Sequence, residues 1–171
     1  MVISKAQTLQ QIESARIHLP NGWGITQVGK SLQLGDLPLN LVISPDKKLL
    51  AVTNNGQSTQ SVQLIDAKKF TLLDTRVVGK SWLGLAFGSD SRTLYASGGN
   101  DNWIVKFDIN DNKLVATDTF RLGKPWPELI SVAGIAVNEA TKMLYAVTKE
   151  NNSLYVFDMN TKTVTKEIPL G

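Results

Sequence analysis

The sequence has no cysteine and one histidine, His18. The first absence excludes disulfides, thiolate nucleophiles and cysteine-bound metal. The second excludes a three-histidine metal site, and the two together exclude a cysteine–histidine nucleophilic pair within this chain. A serine triad would have His18 as its only imidazole, and that residue reads as a surface or packing side chain. Long apolar runs are also missing. None approaches the roughly 18 residues of a helical membrane span. Residues 1–20, MVISKAQTLQQIESARIHLP, lack the apolar segment of a signal peptide. The chain is therefore expected to stay in the cytoplasm or to have lost its original N-terminus. Blocks of like charge are absent as well. Eighteen Lys and Arg against 15 Asp and Glu leave a net +3, with the lysines scattered. Neither a nucleic-acid partner nor membrane insertion is expected.

What the chain does have is repetition. LQLG, RVVG, FRLG and IPLG end at Gly35, Gly79, Gly123 and Gly171, at intervals of 44, 44 and 48. QLID, VKFD and YVFD end at Asp66, Asp108 and Asp158. Ala51, Ala96 and Ala146, in LLAVT, LYASG and LYAVT, read as one repeat position. Inside each unit, short β-branched and aromatic runs alternate with turn formers such as GSDS, GGND and INDN. Strands are expected at 39–43, 48–53, 61–66 and 70–78, then at 82–87, 93–97, 103–108 and 113–120, then at 131–137, 143–148, 153–158 and 163–168. Four strands in a period of about 40–50 residues are the signature of a propeller blade. The uncharged second strands fit a sheet sandwiched between two neighbours. The expected fold is all-β: a partial β-propeller of about three four-stranded antiparallel blades plus an N-terminal strand piece. Residues 1–35 form the lead, and 36–79, 80–123 and 124–171 form the blades.

A four-stranded meander sends its loops to two faces. One face receives the tight, lysine-rich turns SPDKK, GSDSR, NEATK, DAKKF, INDNK and MNTKT. The other receives NNGQSTQ, GGNDN and KENNS with the links GDLP, GKSW and GKPWPEL, richer in asparagine and tryptophan. Binding residues concentrate on such loops. The candidate binding residues are Trp82, Trp126, Asn54, Asn55, Asn100, Asp101 and Asn151. The two tryptophans follow inter-blade links, where they either stack on a ligand or wedge adjacent blades. Trp103 is expected in inter-blade packing and Trp23 as an anchor of the lead. Asp66, Asp108 and Asp158 suit aspartates that bond turn amides. An all-oxygen cation site at Asn100–Asn102 or Glu150–Asn151 is the alternative to ordinary turn roles there. No catalytic residue, metal or cofactor is expected.

SPDKKLLAVTN, GSDSRTLYASGGNDNWIVKFDIN and NEATKMLYAVTKENNSLYVFDMNTKTV resemble the YVTN-type β-propeller repeat. LPNGWGITQVGKSLQLGDLPLNLVISPD, KSWLGLAF and SGGNDNWI are similar to bacterial proteins that place such a propeller before a phosphoesterase domain of the alkaline-phosphatase superfamily. The resemblance covers about residues 17–171. It implies a periplasmic or cell-surface location and a non-enzymatic binding or scaffold role. It also implies two alternatives, the propeller portion of a phosphoesterase and a surface-layer-type adhesion module. Family propellers have about seven blades, and here three precede a stop at Gly171. Residues 25–34, ITQVGKSLQL, would in the family add an outer strand to the last blade. The expected partners are therefore the missing blades, a phosphoesterase domain, or a second copy that closes the ring.

Overall fold

The computed structural model describes residues 8–14, 16–26 and 29–171. The chain divides into two compact units, Met1–Gln33 and Leu34–Gly171.

In the first unit a helix, α1 (Leu9–Ser14), precedes a hairpin of β1 (Ile17–His18) and β2 (Gly24–Ile25). The helix departs from the all-β expectation. Its cause is local: the Thr8 hydroxyl accepts from the Gln11 amide, while the Gln11 side chain accepts from the Thr8 amide. This is a capping box, which satisfies two otherwise unpaired donors at a helix start. Trp23 does not anchor the unit through its ring, which is 73% exposed. Its backbone does the work instead, since its carbonyl closes the hairpin by accepting from Leu19 N at 2.8 Å. Nor do residues 25–34 form the expected outer strand. Ile25 pairs with Ile17, residues 29–34 lie in no strand, and 27–28 fall outside the described residues.

The second unit carries three four-stranded antiparallel sheets, each ordered as in sequence. The first holds β3 (Pro38–Ile43), β4 (Leu49–Asn54), β5 (Ser61–Asp66) and β6 (Thr71–Val77). The second holds β7 (Leu85–Phe87), β8 (Thr93–Ser97), β9 (Trp103–Asn110) and β10 (Lys113–Arg121). The third holds β11 (Val132–Asn138), β12 (Met143–Thr148), β13 (Ser153–Asp158) and β14 (Thr163–Pro169). The first strands gather together, with β7 beside β3 on one side and β11 on the other. Asn40 donates to the Leu83 carbonyl at 2.6 Å and Ser97 Oγ to the Val132 carbonyl at 3.0 Å, so the inner edges are also tied by polar contacts. This is the expected partial β-propeller. One strand is shorter than expected: β7 begins at Leu85, which leaves Trp82 in the preceding link.

Two cores lie between the sheets. Ala51, Val62 and Leu64 of the first sheet meet Leu85, Leu94, Ala96, Val105, Phe107 and Leu114 of the second. Tyr95, Ile104 and Phe120 on the second sheet's opposite face meet Leu144, Ala146, Tyr155 and Phe157 of the third. Side chains alternate faces along a strand, so β8 sends Leu94 and Ala96 one way and Tyr95 the other. That is why LYAS carries no charge.

Pairing corrects one repeat position. Leu49, Thr93 and Met143 stand opposite Asp66, Asp108 and Asp158. Counting from there, Ala51 occupies the place of Tyr95 and Tyr145, while Ala96 and Ala146 occupy that of Val52. A one-residue slip reverses the face. Ala51 accordingly faces the next sheet, whereas Ala96 and Ala146 face the preceding one.

Candidate functional site

On the turn face, aspartates act as backbone staples. Asp66 Oδ1 accepts from Lys68 N and Lys69 N at 2.9 and 2.8 Å, and Asp158 Oδ1 from Asn160 N and Thr161 N at 2.7 and 3.2 Å. The bond from the Lys69 amide holds the Asp66 carboxyl below its ordinary value. Asp108 differs from the expectation. β9 runs on to Asn110, and the turn is made by Asp111 and Asn112, both at positive φ. Left-handed residues at both central positions are what a two-residue hairpin needs. Asp108 is left to pair with Lys106 Nζ at 3.2 Å. A cavity of 1060 Å³ opens on this face between Asp46, Asp66, Asp90 and Asp108. Each of these carboxylates already has a lysine or backbone-amide partner. Among the described residues no group of three or more His, Asp or Glu could hold a metal ion.

The opposite face carries the sequence candidates, and the structure sorts them. Asn54 is fully buried in the first sheet, where Nδ2 donates to Ser61 Oγ and Gln63 Oε1, both at 3.1 Å. Gly35 packs so closely on it that a Cβ would lie 2.8 Å from the Asn54 amide carbon. Asn151 is tied to Thr148 Oγ1 at 2.6 Å and donates to the Tyr155 hydroxyl at 2.7 Å. Asp101 is half-buried in the 98–102 loop, its amide bonded to the Gly98 carbonyl at 3.1 Å. Trp126 lies in the link between the second and third sheets, 62% exposed, with its amide donating to the Asn100 carbonyl at 3.2 Å. None of these four borders the cavity that the other three share.

That cavity, of 270 Å³, is lined by Asn55 and Gln60 of the 55–60 loop, Lys80, Ser81 and Trp82 of the following link, Gly98–Asn100 of the second sheet's loop, and Lys149 after β12. A second cavity of 530 Å³ shares Asn55, Gln60 and Lys80 with it. Trp82, Asn55 and Asn100 are thus brought to one place by loops of the first two sheets and the link between them, and the third sheet adds Lys149. Lys149 Nζ lies 5.7 Å from the Trp82 ring centroid, within cation–π range. The link is fixed by its neighbour loop: Ser81 N donates to Gln60 Oε1 at 2.7 Å, and Asn55 Nδ2 donates to the Ser81 carbonyl. Trp82 N bonds the Ser97 carbonyl at 3.1 Å.

Gln60, Lys80, Ser81 and Lys149 were not candidates on sequence grounds. The lysines look like any other scattered surface lysine, and only the folded link shows that Ser81 is buried. Asn102, weighed on sequence grounds only as a cation ligand, has a different role. It is fully buried at φ 56°, its Nδ2 donating to the carbonyls of Lys124 and Glu128 at 2.6 and 2.9 Å, and its Oδ1 accepting from Ser131 N at 2.8 Å. It holds the second inter-sheet link closed, which rules it out of a cation site.

No protein-family model and no curated protein matches the sequence. Solved structures do match the fold. A functionally unknown protein from Desulfotomaculum acetoxidans DSM 771 superposes with a TM-score of 0.64 at 15% identity, over 90% of this chain and 47% of that one. The RRP9 WD40 repeats give 0.63 at 17%, over 81% and 40%. A chain of the nidogen/laminin complex gives 0.61 at 14%, over 78% and 47%. The chain therefore spans less than half the length of each of these structures. With three stacked four-stranded meanders and these neighbours, the chain has a β-propeller fold.

Proposed function

We propose that this chain is a non-enzymatic binding and scaffold module whose loop face contacts a small polar ligand or a partner domain. The observation that carries this is the convergence on Trp82 of loops from three sheets, with side chains of both charge and amide type around an open 270 Å³ cavity. Rigid sheets presenting such loops are a common basis for binding.

The resemblance to YVTN-type repeats supports a parent protein of the periplasm or cell surface, with the missing blades as the first partners. It also supports the narrower pairing with a phosphoesterase domain. A neighbour solved as part of a protein complex, nidogen/laminin, is consistent with partner binding by this fold. A second copy of the chain is the alternative cover for the open third sheet.

The test is a melting-temperature screen against amino acids, dicarboxylates, sugars and phosphates, repeated with Trp82→Ala and Asn55→Ala. At least one class should stabilise the native chain, and the shift should disappear in both variants. Turnover of p-nitrophenyl phosphate by the purified chain would overturn the non-enzymatic reading.

A further inference from the structure

The cavity at Trp82 is lined by hydrogen-bond donors. Gln60 and Asn100 have each committed the oxygen of their side-chain amide to the protein. Gln60 Oε1 accepts from Ser81 N at 2.7 Å, and Asn100 Oδ1 accepts from Ser131 Oγ at 2.9 Å. Their NH₂ groups make no hydrogen bond among the described residues. Ser81 is 1% exposed, and its hydroxyl is buried without a partner. A buried hydroxyl with no partner is costly, and this one belongs to a residue that lines the cavity. Two ammonium groups complete the lining, those of Lys80 and Lys149. Lys149 is bridged by Glu150 Oε1 at 3.0 Å, and Asn55 Oδ1 is the only side-chain amide oxygen left uncommitted there. Donors and positive charge therefore outnumber acceptors.

We infer that this cavity binds an oxyanion, a carboxylate or phosphate group, held by Lys80 and Lys149 and by hydrogen bonds from Ser81, Gln60 and Asn100, with Trp82 as its apolar wall. The inference rests on the loop-face reading and adds the ligand's chemical class. Charge-assisted bonds of this kind are about twice as strong as neutral ones. The Glu150 carboxylate competes with the ligand for Lys149.

The experiment titrates the whole chain with inorganic phosphate and, separately, with hexaglutamate, at low ionic strength and up to about 10 mM. Calorimetry measures affinity, and the indole N–H resonance of Trp82, assigned with Trp82→Phe, reports the location. Either probe should bind and move that resonance. Lys80→Ala with Lys149→Ala should weaken binding on the order of tenfold or more, Ser81→Ala severalfold, and Glu150→Gln should strengthen it. Ser81→Ala and Glu150→Gln are isosteric or smaller, so they test the site even if the double lysine variant folds poorly. Response to phosphate alone assigns the site to small phosphorylated molecules. Response to hexaglutamate alone assigns it to the acidic side chains of a protein. Silence of the Trp82 resonance with both probes, or undiminished binding in the lysine variant, overturns the inference. Binding of a neutral sugar that is lost in Trp82→Phe, in the same chain that ignores both anions, would sink the oxyanion while leaving the loop-face reading intact.

Discussion

Asn102 satisfies three backbone groups from a fully buried position, and replacing it would strand all of them: the Ser131 amide and the carbonyls of Lys124 and Glu128. Asn102→Ala is expected to cost about 2–4 kcal/mol, since each buried orphan costs about 1–3 and some regain water. The Ser131 amide should lose its protection in hydrogen exchange while amides of β5 keep theirs. Asp118 is a smaller effect with a pH signature. Its hydrogen bond from Lys162 at 2.7 Å is the main influence, ahead of the opposing cost of burial, and holds the carboxyl below its usual value of 3.8. A depressed native pKa means the contribution is present above the unfolded value and is lost as pH falls through the native one. Asp118→Asn should therefore lower stability by about 0.5–1 kcal/mol at neutral pH. In urea titrations the difference from wild type should shrink as pH falls below 3.8, the unfolded value.

At the scale of the element, Gly84, just before β7, lies tight against its neighbours. A Cβ there would lie 2.5 Å from the Ala133 carbonyl oxygen and 2.7 Å from the Ser97 side chain. The backbone of β11 cannot yield as a side-chain tip would, so Gly84→Ala should force β7 and β11 apart. Overpacking of this kind costs about 1–3 kcal/mol, to be read as a lowered melting temperature with the sheets' circular dichroism retained. The strands themselves were legible because each is short, β-branched and set off by turns rich in residues that tolerate left-handed backbone, as at Asp111, Asn112 and Asn152. Their register was less legible. Matching the alanines of LLAVT and LYASG by letter puts Ala51 on the wrong face, because the face depends on which residue stands opposite Asp66, and only pairing supplies that. The helix at Leu9–Ser14 is a single capped segment without an apolar stripe to betray it. The site was half legible for a similar reason. Asparagine and tryptophan in GGNDN and GKSW point to two loops that line one cavity, but whether an amide faces a cavity or staples its own turn depends on partners more than 20 residues away, as Asn102 and Asn55 show.

On the scale of the whole molecule, each sheet has a face turned toward its successor, and the third sheet's has none among the described residues. On the second sheet that face places Tyr95, Ser97, Ile104 and Phe120 at 2, 0, 0 and 2% exposure. The matching residues of the third sheet, by strand pairing, are Tyr145, Val147, Leu154 and Ile168. Val147 is 41% exposed and the others are half-buried. The polar contact of the two built interfaces also stops here. Asp74 meets Lys113 Nζ at 3.4 Å and accepts from Leu114 N at 2.8 Å, and Asp118 meets Lys162. The third sheet holds Lys166 at that position, so a covering sheet would meet an ammonium where its predecessors met a carboxylate. An uncovered apolar sheet face promotes association. If a second copy supplies the cover, sedimentation velocity between about 5 and 200 µM should show mass rising with concentration. Val147→Lys with Leu154→Lys should then hold the chain at 18.7 kDa with little change in melting temperature, because neither side chain is fully buried in the isolated sheet. A wild-type chain that stays at 18.7 kDa throughout that range would assign the face to a different sheet, one whose outer turn carries an acid to meet Lys166.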